Sequence, residues 1–279
     1  MQYSVLMSVY AKEIPDYLIL SIDSMFRQTI APDEFVLVCD GPLTPELDAV
    51  VERFAQQYPS SFRILRLERN KGLGLALQAG VNACRNNLIA RMDSDDIAFP
   101  DRCEKQLAVF EKYPVDIVGG TVLEFDLIPS SIYARRITPQ MHHEILRFAK
   151  KRNPFNHPSV MFRKDAIIAA GNYQDITLFE DYHLWLRVLR NGGQCYNIPD
   201  PLVNMRAGKS MYTRRGGAEY FRKLCYFERE KRRLGFSRGL MGAVLFLLRS
   251  AVSLAPQGIR QAIYCNMLRH GAHTQEAKK

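Results

Sequence analysis

The chain has 279 residues, 47% of them apolar and 24% charged, with a formal net charge of +9. That is the composition of an ordinary globular protein with ample core material, and it excludes collagen-like, low-complexity and charge-driven disordered classes. The basicity belongs to one end: residues 206–279 hold 16 Lys and Arg against four acidic residues, a balance of +12, which leaves −3 for residues 1–205. Met1-Gln2-Tyr3 runs directly into the apolar stretch 4–9, which is too short for a secretory segment and lacks a basic leader, so a cytoplasmic chain is expected. Residues 4–9 predict a strand. Residues 14–28 predict a helix with Leu18, Ile22, Met25 and Phe26 on one face.

A second strand is predicted over 35–39, followed by the turn Asp40-Gly41-Pro42 and a helix over 45–58. A third strand spans 63–67. Asn70-Lys71-Gly72 opens a helix that runs to Cys84, and a fourth strand spans 88–92. This strand–helix alternation implies an α/β fold with a largely parallel sheet, its ligand loops at the carboxyl ends of the strands. The next hundred residues are less regular. Extended stretches at 116–125 and 159–163 are separated by a helical segment, 141–151, and followed by a loop at Gly171-Asn172. Glu180-Asp181 then precedes a helix over 182–191, and 203–206 is a short extended piece. Beyond Tyr212 the pattern is helical, with a basic helix over 218–234 and apolar helical stretches at 240–255 and 257–268. The expected division falls between about 206 and 216, with a main domain, 1–210, in two halves (1–100 and 101–210), and a basic helical tail, 211–279.

The six cysteines, Cys39, Cys84, Cys103, Cys195, Cys225 and Cys265, show no paired spacing, which argues against a zinc site or a disulfide framework. Nucleic acid is not the expected partner of the tail, since no helix-turn-helix, zinc or aromatic-interleaved RNA motif accompanies it; an anionic membrane surface or a polyanionic ligand suits it better. Residues 90–96, Ala-Arg-Met-Asp-Ser-Asp-Asp, carry the most chemistry. Three carboxylates, Asp93, Asp95 and Asp96, stand at the end of a strand, and hard oxygen ligands there suit Mg²⁺ or Mn²⁺ holding a diphosphate. Turn and cap residues are the plain alternative.

Five segments in order resemble the inverting glycosyltransferases of family 2, whose nucleotide-sugar-binding fold is called GT-A. They are Ser4-Val5-Leu6-Met7-Ser8-Val9-Tyr10, Val38-Cys39-Asp40-Gly41-Pro42, Asn70-Lys71-Gly72-Leu73-Gly74 with Ala79-Gly80, Met92-Asp93-Ser94-Asp95-Asp96 with Pro100 and Arg102, and Phe179-Glu180-Asp181-Tyr182. Within the family, the pattern is most similar to bacterial enzymes that build capsule, exopolysaccharide or O-antigen repeat units on a lipid carrier.

The resemblance implies a set of roles. Ser8 and Tyr10 would line a uracil pocket, with Asp40 accepting from the base or ribose; a turn residue before Gly41 is the alternative for Asp40. Gly72 and Gly74 would let a helix start approach the nucleotide, or else relieve packing, and Lys71 would reach a phosphate or stand as a solvated lysine. Asp93 and Asp95 match the family's Asp-X-Asp pair, with Asp95 on the metal, Mn²⁺ or Mg²⁺, and Asp93 near the ribose or the metal. Asp96 reads as a helix-opening cap, and Arg91 and Arg102 as structural. Asp181 would be the base that deprotonates the acceptor hydroxyl, supported by Glu180; acids favoured by a helix macrodipole are the alternative. His157 and Trp185 are candidate acceptor-binding residues, each with a core role as its alternative. Arg206, Lys209, Arg214 and Arg215 lie in a loop that would close over the diphosphate, with Arg214 and Arg215 assigned to the donor; a solvated basic loop is the alternative.

No Gln-X-X-Arg-Trp motif is present, and the apolar run 240–255 is interrupted by Arg249 and falls short of the about 20 residues a bilayer span needs. Processive members of the family carry that motif and several spans, so the resemblance implies a single hexose transfer from a UDP-sugar to a glycan acceptor carried on undecaprenyl diphosphate. The tail would rest on the inner face of the cell membrane, with burial against the catalytic domain as the plain alternative. A sugar-phosphate nucleotidyltransferase and a non-catalytic sugar-nucleotide sensor are the competing readings.

Overall fold

A computed structural model describes residues 1–207, 216–237, 239–255 and 270–271. Its first strands alternate in the way a sheet covered on both faces requires. β1 (Tyr3–Val9) turns Tyr3, Val5, Met7 and Val9 to one hydrophobic layer and Leu6 to the other, and β2 (Glu34–Cys39) separates Phe35, Leu37 and Cys39 from Val36 and Val38 in the same way. β3 (Phe62–Arg66) and β4 (Leu88–Asp93) complete a parallel set in the spatial order β3-β2-β1-β4. The chain reverses its winding between β1 and β4, and that switch point is where open α/β sheets place ligands. Register puts Ser8 directly beside Asp93 and, on the other side, beside Val38.

The helices follow the same logic. α1 (Pro15–Phe26) and α2 (Pro45–Gln57) each begin with proline, whose missing N–H costs nothing in a first turn, and both pack on the first layer through Leu18, Ile22 and Met25 and through Leu47, Val51 and Phe54. α3 (Leu73–Ala83) covers the other face; Gly80 sits so close to the sheet that an added Cβ would come 2.2 Å from a Leu6 methyl. After the short β5 (Ile97–Ala98), α4 (Arg102–Lys112) returns to the first layer with Cys103, Leu107 and Phe110.

The second half extends the sheet to ten strands. β6 (Ile117–Phe125) and β7 (Ile132–Arg136) form an antiparallel pair, β8 (Met161–Arg163) runs antiparallel between β4 and β6, and β9 (Cys195–Arg206) runs parallel to β6 while pairing with β5. The predicted extended piece at 203–206 is thus only the end of β9. Pro199 and Pro201 interrupt its sequence pattern, and in the sheet they coincide with register shifts near Gly120 and Thr121. The two-residue strand His270–Gly271 pairs with β7.

α5 (His142–Ala149), α6 (Lys164–Ala169) and α7 (Glu180–Arg190) belong to the second layer. So does α8 (Gly217–Arg233), whose Phe227 stacks on Phe179 at 4.5 Å and meets Tyr182 at 4.9 Å. α9 (Gly239–Leu254) follows and packs along α8. No helix among the described residues is long and apolar enough to cross a membrane. The helix predicted over 257–268 lies outside the described residues.

Candidate active site

The carboxyl ends of β1, β2 and β4 form the floor of the site. Tyr10 is exposed just past β1, and Ser8 is half-buried beside it. At the end of β2, Asp40 is buried and both of its carboxylate oxygens are engaged: Lys71 N–H donates to Oδ1 at 2.7 Å and Gly72 N–H to Oδ2 at 3.0 Å. Gly41 (φ 87°) lets this turn lie against Asn70, whose nitrogen would be 2.6 Å from an added Cβ. Asp40 therefore organises the loop that starts α3, and any contact with a base would use the remaining lone pairs of the same oxygens. Gly72 has φ 86° and open space around it. Gly74 differs: an added Cβ would stand 2.5 Å from the Gln174 carbonyl and 3.3 Å from the Glu180 Cβ. Its smallness serves the contact between α3 and the loop before α7, not an approach to a ligand.

The acidic run divides into distinct environments. Arg91, 1% exposed, lies beneath Asp93 and binds it in a fork, with Nη1 at 2.6 Å from Oδ2 and Nη2 on Oδ1. Arg102 is fully buried and donates to the Arg91 and Val160 carbonyls at 2.7 and 3.2 Å, so it braces β4 rather than facing a ligand. Asp95 is half-buried. Burial first, then the charges of Asp93 and Glu13, push its carboxyl up to about 7. Ser94 Oγ donates to Glu13 Oε2, which brings Glu13 into the cluster from the loop after β1.

Asp96 corrects an expectation. It caps no helix: Oδ1 accepts from Arg206 N–H at 2.7 Å, tying the end of β9 to the acidic loop, while Oδ2 is buried without a partner. Burial, with Asp95 and Asp93 nearby, drives its carboxyl well above the usual range.

Arg206 is also placed differently from the diphosphate-closing loop expected for it. Its guanidinium lies 3.6 Å over the Tyr17 ring and 4.5 Å from the Phe125 ring centre, and donates to the Asp95 carbonyl at 3.2 Å and the Asp126 carbonyl at 3.0 Å. It fastens the loop carrying Asp95 to α1 and to the β6–β7 hairpin. Lys209, Arg214 and Arg215 lie outside the described residues.

Glu180 and Asp181 open α7, where the macrodipole favours acids, and Glu180 Cβ lies against Gly74 of α3. Asp181 Oδ2 accepts from Asn153 Nδ2 and Oδ1 from Tyr182 N–H, both at 2.6 Å. Burial and then the Asp181 charge push Glu180 up to about 7, and its Oε2 has no partner. Leu178, immediately before this helix, adopts φ 75°, an outlier for a branched side chain that marks a strained approach to the pair.

Tyr173 is fully buried. Burial raises this hydroxyl far above its ordinary value, and the charges of Arg91, Asp181, Glu180 and Asp93 all act on it. His157 Nε2 pairs with the Tyr173 hydroxyl at 3.0 Å, and burial, aided by the Arg91 cation, holds the imidazole well below its usual range and so neutral. His157 is thus engaged within the wall of the site, where its Nε2 is not free to meet an acceptor. Trp185 is a plain correction: it is fully buried against Phe155, His157, Phe162 and Tyr173, so no sugar can stack on it.

Among the described residues no three His, Cys, Asp or Glu side chains form a complete metal cage. The donor set nevertheless fits a divalent ion shared with a diphosphate. Asp95 is a carboxylate in a pocket with excess negative charge, and Mg²⁺-type sites commonly take one or two carboxylates plus substrate phosphate oxygens.

The family model for glycosyl transferase family 2 matches residues 4–170. The chain belongs to glycosyl transferase family 2. As a family 2 glycosyltransferase it is 41% identical over 94% of its length to the amylovoran biosynthesis glycosyltransferase AmsE of Erwinia amylovora, covering 97% of that protein. It is 39% identical over 78% of its length to the Escherichia coli UDP-Gal:alpha-D-GlcNAc-diphosphoundecaprenol beta-1,3-galactosyltransferase, covering 79% of it. Among solved structures, residues 1–349 of S. aureus TarS in complex with UDP-GlcNAc align over 96% of this chain and 76% of that one, with a TM-score of 0.66 and 16% identity. The mannosyltransferase PcManGT of Pyrobaculum calidifontis, in complex with GDP-Man and Mn²⁺, aligns over 95% and 79% with a TM-score of 0.59 and 14% identity. The fold is thus the GT-A arrangement that the sequence motifs resemble.

Two polar residues of this family 2 site carry no signal in the sequence. Glu13 stands 81 residues before Ser94 along the chain, and Asn153 stands in a segment noted only for His157. Both are recognised by contacts that only folding creates.

Proposed function

We propose that the chain transfers a single hexose, with inversion at C1, from a UDP-sugar to a hydroxyl of a lipid-diphosphate-linked glycan during assembly of a bacterial surface polysaccharide. The observation that carries this reading is the placing of two carboxylate pairs: Asp93 and Asp95 at the end of β4, with Arg91 forked onto Asp93, and Glu180 and Asp181 at the start of α7, against Gly74 of α3. A relative with a UDP-galactose donor and a diphosphoundecaprenol-linked acceptor supports the substrate class.

Ser8 and Tyr10 would flank the base, and Lys71 and the start of α3 would face the phosphates. Asp95, with Asp93 held by Arg91, would hold Mn²⁺ or Mg²⁺. When bound, that ion supplies charge neutralisation for the departing diphosphate. Asp181 accepts the proton of the acceptor hydroxyl as its oxygen bonds to C1. The bond from C1 to the diphosphate oxygen breaks on the opposite face, and UDP leaves with the electron pair. Asn153 keeps Asp181 turned to this task by its bond to Oδ2. The protein would act at the inner face of the cell membrane, where such acceptors are displayed.

The test is UDP release from a panel of UDP-sugars with Mn²⁺ or Mg²⁺ and synthetic lipid-diphosphate-GlcNAc or -GalNAc acceptors, with products weighed by mass spectrometry. Wild type is expected to add one hexose, and Asp95→Ala and Asp181→Asn to lose about 10²–10⁴-fold in rate. Full activity in both variants would refute the assignment.

A further inference from the structure

α9 is apolar on two opposite sides. Gly242, Phe246 and Ser253 face the body: Gly242 lies against Ser237, Phe246 packs on the second layer, and Ser253 is buried. The other side presents Leu240, Met241, Val244, Leu247, Leu248 and Leu254, exposed by 41% to 81%. Their spacing, i, i+1, i+4, i+7, i+8 and i+14, is a single helical stripe about 22 Å long. Large aliphatics gathered in this way on a protein surface mark a contact with a partner.

The charge around the stripe selects the partner. α9 has no acidic residue, and residues 217–254 hold eight Lys and Arg against three acids, a balance of +5. Arg222 and Arg229 are exposed on α8, as are Arg232 and Arg233, which pair with Glu228 and Glu230, and Arg232 lines a surface cavity with Gly239 and Ala243 of α9. A second copy brings the same surplus of positive charge, whereas an anionic lipid surface takes up both the aliphatic face and the cations.

α8, through Lys231, and α9, through Arg249, are also tied to the side of the molecule that holds the proposed base. Lys231 Nζ donates to the Lys150 carbonyl at 2.7 Å, Arg249 donates to the Lys151 carbonyl, and Asn153 of the same segment donates to Asp181. We propose that the outer face of α9 lies in the interface of an anionic bilayer and, through residues 150–153, sets the Asp181 side of the site toward the leaflet that displays the acceptor. This deepens the lipid-linked-acceptor reading and rests on it for its consequence.

The test is co-sedimentation of the full chain with phosphatidylglycerol–phosphatidylcholine vesicles. Wild type is expected to bind, binding is expected to weaken from about 50 to about 500 mM salt, and Leu247→Glu/Leu248→Glu is expected to lower vesicle affinity by about tenfold or more. The double variant should keep wild-type thermal melting and wild-type UDP release with a water-soluble acceptor, because both side chains face outward. Equal vesicle recovery of wild type and variant overturns the inference, as does a wild type that stays in the supernatant. A dimer in light scattering that the variant splits would give the stripe to a second copy, and a lower melting temperature in the variant would give it to residues 256–279; either result also overturns it. Vesicle binding lost in the variant, from a chain that transfers no hexose, would leave this face standing and refute the proposed reaction instead.

Discussion

Glu180 is a carboxyl held against its own ionisation beside the residue proposed as base. Its folded pKa, about 7, stands above the value of about 4.3 expected in the unfolded chain. Below about pH 4 both states are protonated and nothing is lost. Between about pH 4 and pH 7 the unfolded state releases its proton while the folded state keeps it, so stability falls across that window and the loss is complete above it. Glu180→Gln removes the charge at nearly constant shape and is expected to raise the melting temperature at pH 8 by about 2–4 °C while leaving it unchanged at pH 4, as read by calorimetry. The same variant should remove an inflection near pH 7 from the profile of kcat/KM. A lower melting temperature at pH 8 would mean that the ionised form has a structural partner. Asn153 acts on the base itself: Asn153→Ala is expected to reduce kcat by about 10²-fold with little change in KM for the UDP-sugar, because Asp181 would lose its orienting bond and the donor its none. A loss in KM alone would place Asn153 with substrate binding.

At the scale of elements, the contact between α3 and the loop before α7 joins the two halves of the site. The carbonyl of Gln174 occupies the space a side chain at position 74 would need, and Glu180 Cβ stands just beyond it. Gln78 Nε2 and the Tyr173 carbonyl, at 2.8 Å, add a second tie along the same helix. Gly74→Ala is therefore expected to cost about 1–3 kcal/mol in urea unfolding and to lower kcat, since the backbone that must move carries the acidic pair. Unchanged unfolding would show that the loop yields freely. The β9 strand teaches a different lesson: its prolines hide it in the sequence, yet pairing with β6 carries it from Cys195 to Arg206 and delivers Arg206 to the acidic loop.

For the molecule as a whole, α8 is part of the second hydrophobic layer rather than an appendage beyond it. Leu224 and Phe227 are buried there, and Phe227 covers both Phe179 and Tyr182 next to the acidic pair. A chain stopped after residue 216 would expose these faces. Burial of two such side chains is worth about 1.5–3 kcal/mol each, so the shortened protein is expected to unfold at clearly lower urea and to lose transfer even with a water-soluble acceptor. Wild-type stability and activity in that variant would instead support the domain boundary near 206–216 that the sequence suggests.

The sequence by itself determined the alternating β1–α1–β2–α2–β3–α3–β4 order and placed Asp40, Asp93 and Asp95 at strand ends, because apolar period and turn chemistry are local properties of a chain. It also pointed to Arg91 and Arg102 as structural. Only the tertiary structure decided which groups surround each carboxylate. Asn153 reaches Asp181 across 28 residues and Ser94 reaches Glu13 across 81, separations over which no local pattern operates. The same reason explains why Asp96 proved to anchor β9 and Trp185 to fill the core: a residue's type limits what it can do, but burial and neighbours choose among those possibilities.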